Sequence, residues 1–467
     1  MKKVSKKTKF LAVVLGSLLI SSTAFAQSSV VTYQLDNSAV KRATAGQFST
    51  DSDKVKAKDI FDLERSFFSA GYLGQAAGGA INGGGNNTET ARLAANGVQG
   101  AFGVALPGGM YLGFAAAYNL MDRANYTTDK DGNISAPNNN KWTVNSTGDF
   151  ILAFRINEMV ALHYNLKIGS PDYPTVTYKI DHTVDKDTQT DYKTYTHNAY
   201  WNHEIAAAIK FGEHKLTVPI SVDIYANNVK TKGKQNNVDV NYAEYGNNQG
   251  LADYVALNLN PEFFLSLPMG PMTGINMGVN FGVGLNNNVG QNGKQGNTEY
   301  KATQKALRMN VGVWASFPME WSLGNDQVSL AMEPQINLDF DVNEFGKAEQ
   351  TINGTAQPVA DYGRDNFAFS PSIELPIGTL WRPVEWYELR FGTALILDAD
   401  ITLTQAKQAD EANNTKTTGY ETYSGIAGFF GMGFIVGEDF NIDLYAEAQQ
   451  LNFFTMGFGG QLTYRFN

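Results

Sequence analysis

Residues Phe454 to Phe466 read FTMGFGGQLTYRF, and the reading of this stretch decides the fold. Phe454, Met456, Phe458, Leu462, Tyr464 and Phe466 fall on one parity, with Gly460 in the remaining slot. Thr455, Gly457, Gly459, Gln461, Thr463 and Arg465 fall on the other. Successive side chains of a β-strand point to opposite faces, so the segment carries one oily face and one polar face. In water such a terminal strand is an aggregation template. Against acyl chains, an apolar outer face and a polar inner one are what a strand needs.

This ending resembles the C-terminal assembly signal of bacterial outer-membrane β-barrel proteins, an aromatic with Tyr and apolar residues at alternate positions before it. Here Asn467 follows the aromatic Phe466. The resemblance implies delivery to the cell outer membrane and recognition of Phe454 to Phe466 by the barrel-assembly machinery.

The other end of the chain agrees. Lys2, Lys3, Lys6, Lys7 and Lys9 precede an apolar run from Phe10 to Ile20, and Ala24-Phe25-Ala26 follows. A basic region, a short apolar run and an A-x-A site predict a secretory signal peptide, residues 1–26, cleaved after Ala26. The run is too short to span a membrane as a helix. Its removal takes five lysines and carries the formal charge from −10 to −15. An acidic chain lacks the basic footprint that nucleic acid requires. No later run of apolar residues is long enough for a membrane helix, and the mean hydropathy is −0.27. With no cysteine, neither a disulfide framework nor a thiol nucleophile is available.

Residues 27–65 lack a sustained period, and DSDKVKAKDIFDLER predicts a short helix near 53–64. Two readings stay open for this segment: a periplasmic arm or a plug in the barrel mouth. Residues 66–467 then repeat one cadence of alternating segment, short turn, alternating segment and long polar loop. Short connections such as Pro107-Gly108, Asn157-Glu158 and Gly212-Glu213 alternate with long ones such as 122–140, 170–197 and 228–250. That asymmetry belongs to barrels with short periplasmic turns and long extracellular loops. The expected fold is an all-β, transmembrane antiparallel up-and-down β-barrel of about 16 strands, with 14 as the alternative count. Pro219, Pro261, Pro334 and Pro371 interrupt predicted strands and call for rims or bulges.

If the apolar parity meets lipid, the opposite parity lines the lumen. That places Arg155, His163, Lys167, Glu204, Asp223, Glu262, Arg308, Glu333, Asp339, Asp341, Glu374, Glu388, Arg390, Asp398, Asp443 and Glu447 inward. Trp314 also falls on the inward parity, so it is luminal or the register there differs. More carboxylates than cations face inward, which predicts a mild cation preference unless the arginines pair across strands.

Catalytic and metal signals are weak. His163 stands within a strand with no Ser two residues away. Asp129 to Asn133 has its glycine too early for a calcium loop and reads as a turn. The expectation is therefore an outer-membrane porin-like channel for small hydrophilic solutes, surrounded by outer-membrane lipids, with no enzyme activity, cofactor, metal or nucleic-acid partner, and with homo-oligomerisation open. A hatch-gated transporter of hydrophobic compounds, fatty-acid-like in type, and a surface antigen or adhesin are the alternatives.

Overall fold

A computed structural model describes residues 55–77, 96–121, 127–128, 134–135, 142–168, 177–185, 187–245, 254–286, 290–323, 327–346, 349–358, 361–408, 414–437, 439–449 and 455–466. The predicted leader, the Asp129 to Asn133 turn and Phe454 lie outside them. The wall strands are β1 (Ser66–Ala77), β2 (Asn96–Ala105), β3 (Tyr111–Met121), β4 (Trp142–Arg155), β5 (Val160–Ile168), β6 (Thr190–Phe211) and β7 (His214–Gln235). Next come β8 (Tyr254–Leu259, resumed over Glu262–Met269), β9 (Met272–Asn286), β10 (Ala306–Ser316, resumed over Met319–Leu323) and β11 (Val328–Met332, resumed over Gln335–Phe345). The circuit ends with β12 (Asp361–Val384), β13 (Tyr387–Gln408), β14 (Thr415–Val436), β15 (Phe440–Gln449) and β16 (Thr455–Phe466).

Each strand pairs antiparallel with the next. The ring closes where β16 meets β1, in register from Ser66 opposite Phe466 to Ala77 opposite Thr455. The result is a closed 16-strand barrel, as the cadence predicts. Leu152, Leu162, Ile205, Ile209, Ile220 and Leu257 stand exposed on its outer surface. Ala153, Ala161, Ala206 and Ala208, on the opposite parity of the same strands, are buried within. A soluble protein does not leave so continuous an apolar belt in water. This is the lipid-facing exterior of an outer-membrane-type β-barrel.

Two features depart from the sequence reading. The loops predicted at 170–197 and 228–250 are in large part strand, because β6 and β7 run in unbroken register from Phe211 opposite His214 to Asp191 opposite Lys234. Thr177–Asp185, Val238–Tyr245, Gly290–Gln295, Thr298–Thr303, Glu349–Ile352 and Thr355–Gln357 continue the sheet past the barrel. Gly290–Gln295, Thr298–Thr303 and Thr355–Gln357 show no sustained apolar parity, whereas Tyr178, Ile180 and Val184, and likewise Val238, Val240 and Tyr242, do share one parity over a stretch that the sequence reading left as loop. The turns mark the hairpins too: Asn236 and Asn237 take φ of 50° and 61°, and Asn353 and Gly354 take 50° and 75°, the paired left-handed geometry of a tight hairpin. At another tip the Asp185 carboxylate accepts hydrogen bonds from the backbone N–H groups of Asp187 and Thr188. The Thr188 side chain first, and these two backbone bonds after it, hold the Asp185 pKa below the usual carboxylate value.

The second departure concerns proline. Pro219 and Pro371 sit inside continuous strands, whereas Pro261, Pro318 and Pro334 break β8, β10 and β11. Pro318 was not singled out by the sequence. Each proline removes a ladder donor but still accepts: Val279 N–H donates to Pro261 O at 3.0 Å, Thr273 N–H to Pro318 O at 2.9 Å, and Phe317 N–H to Pro334 O at 3.0 Å. The breaks therefore line up across neighbouring strands and the wall stays hydrogen-bonded around them.

Candidate functional site: the lumen and its inner segment

Residues 55–65 lie against the inner wall near the short-turn end of the barrel. Val55, Ala57, Ile60 and Phe61 are buried and form one apolar cluster with Tyr111, Ala115, Ile151, Ala153, Ala161 and Ala208. Ile60–Asp62 makes a single 3-10 turn, shorter than the predicted helix. The wall leaves room where the segment docks. A Cβ added at Gly113 would stand 2.9 Å from Val55 Cβ and 3.4 Å from Ile60 Cδ1, so only glycine fits beneath the segment.

Polar anchors complete the docking. Arg155 Nη1 donates to the carbonyl oxygens of Ile60 at 3.0 Å, Phe61 at 3.1 Å and Leu63 at 3.0 Å. Its Nε donates to Gly109 O at 2.9 Å, and its guanidinium lies 5.3 Å from the Tyr111 ring centre. His163 Nδ1 accepts the Ala57 N–H at 3.0 Å while Nε2 lies 2.8 Å from Glu204 Oε1. That arrangement fixes the neutral tautomer with hydrogen on Nε2. Lys58 pairs with Glu262 at 2.9 Å, Asp62 with Lys215 at 2.6 Å and Arg65 with Asp439 at 2.6 Å.

The predicted inward residues separate into groups. Arg155, His163, Glu204 and Glu262 hold the inner segment, and the Lys167 charge lies close enough to act on Glu204. Asp223 ties three strands together, accepting from Tyr200 Oη at 2.9 Å, Asn202 Nδ2 at 2.6 Å and Asn258 Nδ2 at 2.5 Å. Arg390 donates to Asp443 at 2.8 Å and to Glu388 at 2.5 Å, with Arg382 on the other Glu388 oxygen; Glu388, Arg390 and Asp443 are all buried. Their role is to brace β13 against β15. Arg308 stands 3.5 Å from Asp341. Asp339, Glu374 and Asp398 follow on the inner rows of β11, β12 and β13 without an ion pair among the described residues. The Glu447 side chain lies outside the described residues.

Beside the inner segment a cavity of about 480 Å³ remains open. Lys58, Asp59 and Asp62 of the segment line one side, and Glu262, Asn276, Asn280, Trp314, Ser316, Glu333 and Asn337 of β8 to β11 line the other. Trp314 is therefore luminal, stacked over the space that Gly278 leaves. Glu333, 2% exposed, accepts from Ser316 Oγ and from Asn276 Nδ2 at 3.0 Å. Of the residues predicted to line a pore, Glu262 and Glu333 border this cavity. Asn276, Asn280 and Asn337 also stand on the inward parity that the sequence predicts for their strands, whereas Ser316 was not singled out. Among the described residues no cluster of His, Asp and Glu is arranged to hold a metal ion.

No family model and no curated protein matches the chain. Among solved structures, the TodX monoaromatic hydrocarbon channel is similar at 10% identity over 92% of this chain and 99% of that one, with a TM-score of 0.39. CdiB from Escherichia coli is similar at 8% identity over 86% and 63% with a TM-score of 0.38, and the ferric yersiniabactin receptor FyuA from Yersinia pestis at 8% over 85% and 80% with 0.35. At such identities they assign no substrate to this chain.

Proposed function

We propose that the chain forms an outer-membrane channel for small hydrophilic solutes in which residues 55–65 act as an inner hatch that narrows the lumen. A 16-strand barrel is wide enough to hold water unless something fills it. The observation that carries the reading is the polar cavity left between the hatch and β8 to β11, with Lys58 and Asp62 on one side and Asn276 and Asn337 on the other. A passage lined by amides, hydroxyls and charges favours hydrated solutes over apolar ones. The carboxylates of Asp339, Glu374 and Asp398, which make no ion pair among the described residues, support a mild cation preference.

Liposome swelling tests the proposal. Proteoliposomes should admit small sugars and exclude larger ones, and a salt gradient should give a reversal potential of the sign for cation preference. Impermeability to every sugar, with uptake of apolar compounds instead, would favour the hydrophobic-compound transporter.

A further inference from the structure

The outer faces of β6 and β7 change character along their length without a break in register. Phe211, Ile209, Ile205 and Ile220 are exposed and apolar. Continuing up the same parities, past Trp201, the exposed residues become Lys193 on β6 and Lys230, Lys232 and Lys234 on β7. The opposite parity stays interior: Thr231 and Val240 are buried, and the Thr194 and Thr231 hydroxyls meet at 3.2 Å. These lysines therefore stand on the side of the sheet that faces membrane lower down, outside the lumen.

Their pairing is electrostatically unfavourable. Lys232 lies directly opposite Lys193 in the ladder, where like charges repel. Lys234 is balanced by Asp191 on one neighbour and Asp239 on the other, and Lys294, one strand beyond Asn241, lies 3.9 Å from Glu299. Lys193, Lys230 and Lys232 have Tyr195, Asn241, Ala243 and, opposite Lys193 on the Thr177–Asp185 strand, His182 as their remaining cross-strand neighbours, none of them acidic. A chain of net charge −10 has gathered cations at one point of its outer wall.

We infer that this face binds phosphorylated sugar headgroups of the outer leaflet's glycolipid. Height decides the occupant. Lys193 is eight residues beyond Trp201, about 26 Å along the strand at ~3.3 Å per residue. With a tilt of about 40° that is roughly 20 Å above the apolar belt. Phospholipid headgroups add only about 5–8 Å beyond the hydrocarbon, so they fall short. A tall phosphorylated oligosaccharide core does not. Phosphate also relieves the Lys193–Lys232 repulsion, which gives the unfavourable pair a physical reason.

The test uses the full chain in detergent, titrated with rough lipopolysaccharide bearing phosphorylated inner-core sugars, the same material after dephosphorylation, and lipid A alone. The triple variant Lys193→Gln, Lys230→Gln, Lys232→Gln should bind the phosphorylated glycolipid about a hundredfold more weakly, since each lysine near an anionic surface contributes about fivefold. The matching triple arginine variant should restore binding. Heat-modifiable gel mobility reports that each barrel is folded. Equal binding by wild type and the glutamine variant overturns the inference, as does equal affinity for the dephosphorylated glycolipid or for lipid A alone.

Discussion

Arg155 Nη1 donates to the Ile60 carbonyl oxygen at 3.0 Å, so a cation on the barrel wall holds the backbone of a segment 95 residues earlier in the chain. The same nitrogen reaches Phe61 and Leu63, gathering the carbonyls of a single 3-10 turn that has no helix beyond it to use them. Removing that donor leaves the segment tied by its apolar contacts, the Ala57 N–H to His163 hydrogen bond and three exposed or half-exposed ion pairs.

Arg155→Ala should release the hatch. Hydrogen bonds to charged donors contribute about 1.5–3 kcal/mol each, discounted here because water replaces some of them. Limited proteolysis should cut within 55–65 much faster in the variant. An unchanged cleavage rate counts against Arg155 as the principal anchor.

His163 is a second polar tie between the wall and the hatch. Its Nδ1 accepts the Ala57 N–H and its Nε2 faces Glu204 on β6. His163→Ala removes both contacts and should raise open-channel occupancy in single-channel recordings. His163→Gln keeps an acceptor for Ala57 and a donor for Glu204, and should stay as closed as wild type. An alanine variant that conducts like wild type would mean that this bond does not hold the hatch.

The buried trio of Glu388, Arg390 and Asp443 predicts stability without transport. Arg390→Met removes the hydrogen-bonded cation from buried Asp443 and one of the two arginines on Glu388, and should destabilise the barrel by about 3–5 kcal/mol. Thermal unfolding followed by gel mobility measures this. Sugar permeation at a temperature where the variant is folded should match wild type; a large change would make Arg390 a pore residue after all.

Asp339, Glu374 and Asp398 carry the opposite expectation. Their joint conversion to amides should shift the reversal potential toward zero selectivity while leaving unfolding within about 1 kcal/mol of wild type. Unchanged selectivity would place the ion filter below them, beside Glu262 and Glu333.

Much of this architecture was legible because lipid imposes period two. Leu162 and Tyr164 outside with His163 and Asn165 inside need only the alternation of one segment. The upper sheet escaped because Lys230, Thr231, Lys232 and Gly233 are polar on both faces, and only the Asn236-Asn237 turn betrays their pairing. The inner hatch was legible only as one of two options. Val55, Ala57, Ile60 and Phe61 mark an apolar face, but their partner surface is assembled from β3 to β6 and exists only in the closed barrel. The cavity was hidden for a related reason: Asn276, Ser316 and Asn337 are unremarkable singly and converge only across adjacent strands.

Gly113 offers the most direct measurement. A leucine there occupies the space of Val55 and Ile60 without touching the strand ladder, so the hatch must leave while the barrel persists. Single-channel recordings in a planar bilayer should show Gly113→Leu conducting severalfold more than wild type at equal gel mobility. Equal conductance would mean that residues 55–65 do not narrow the passage, and the account of the channel would fail with them.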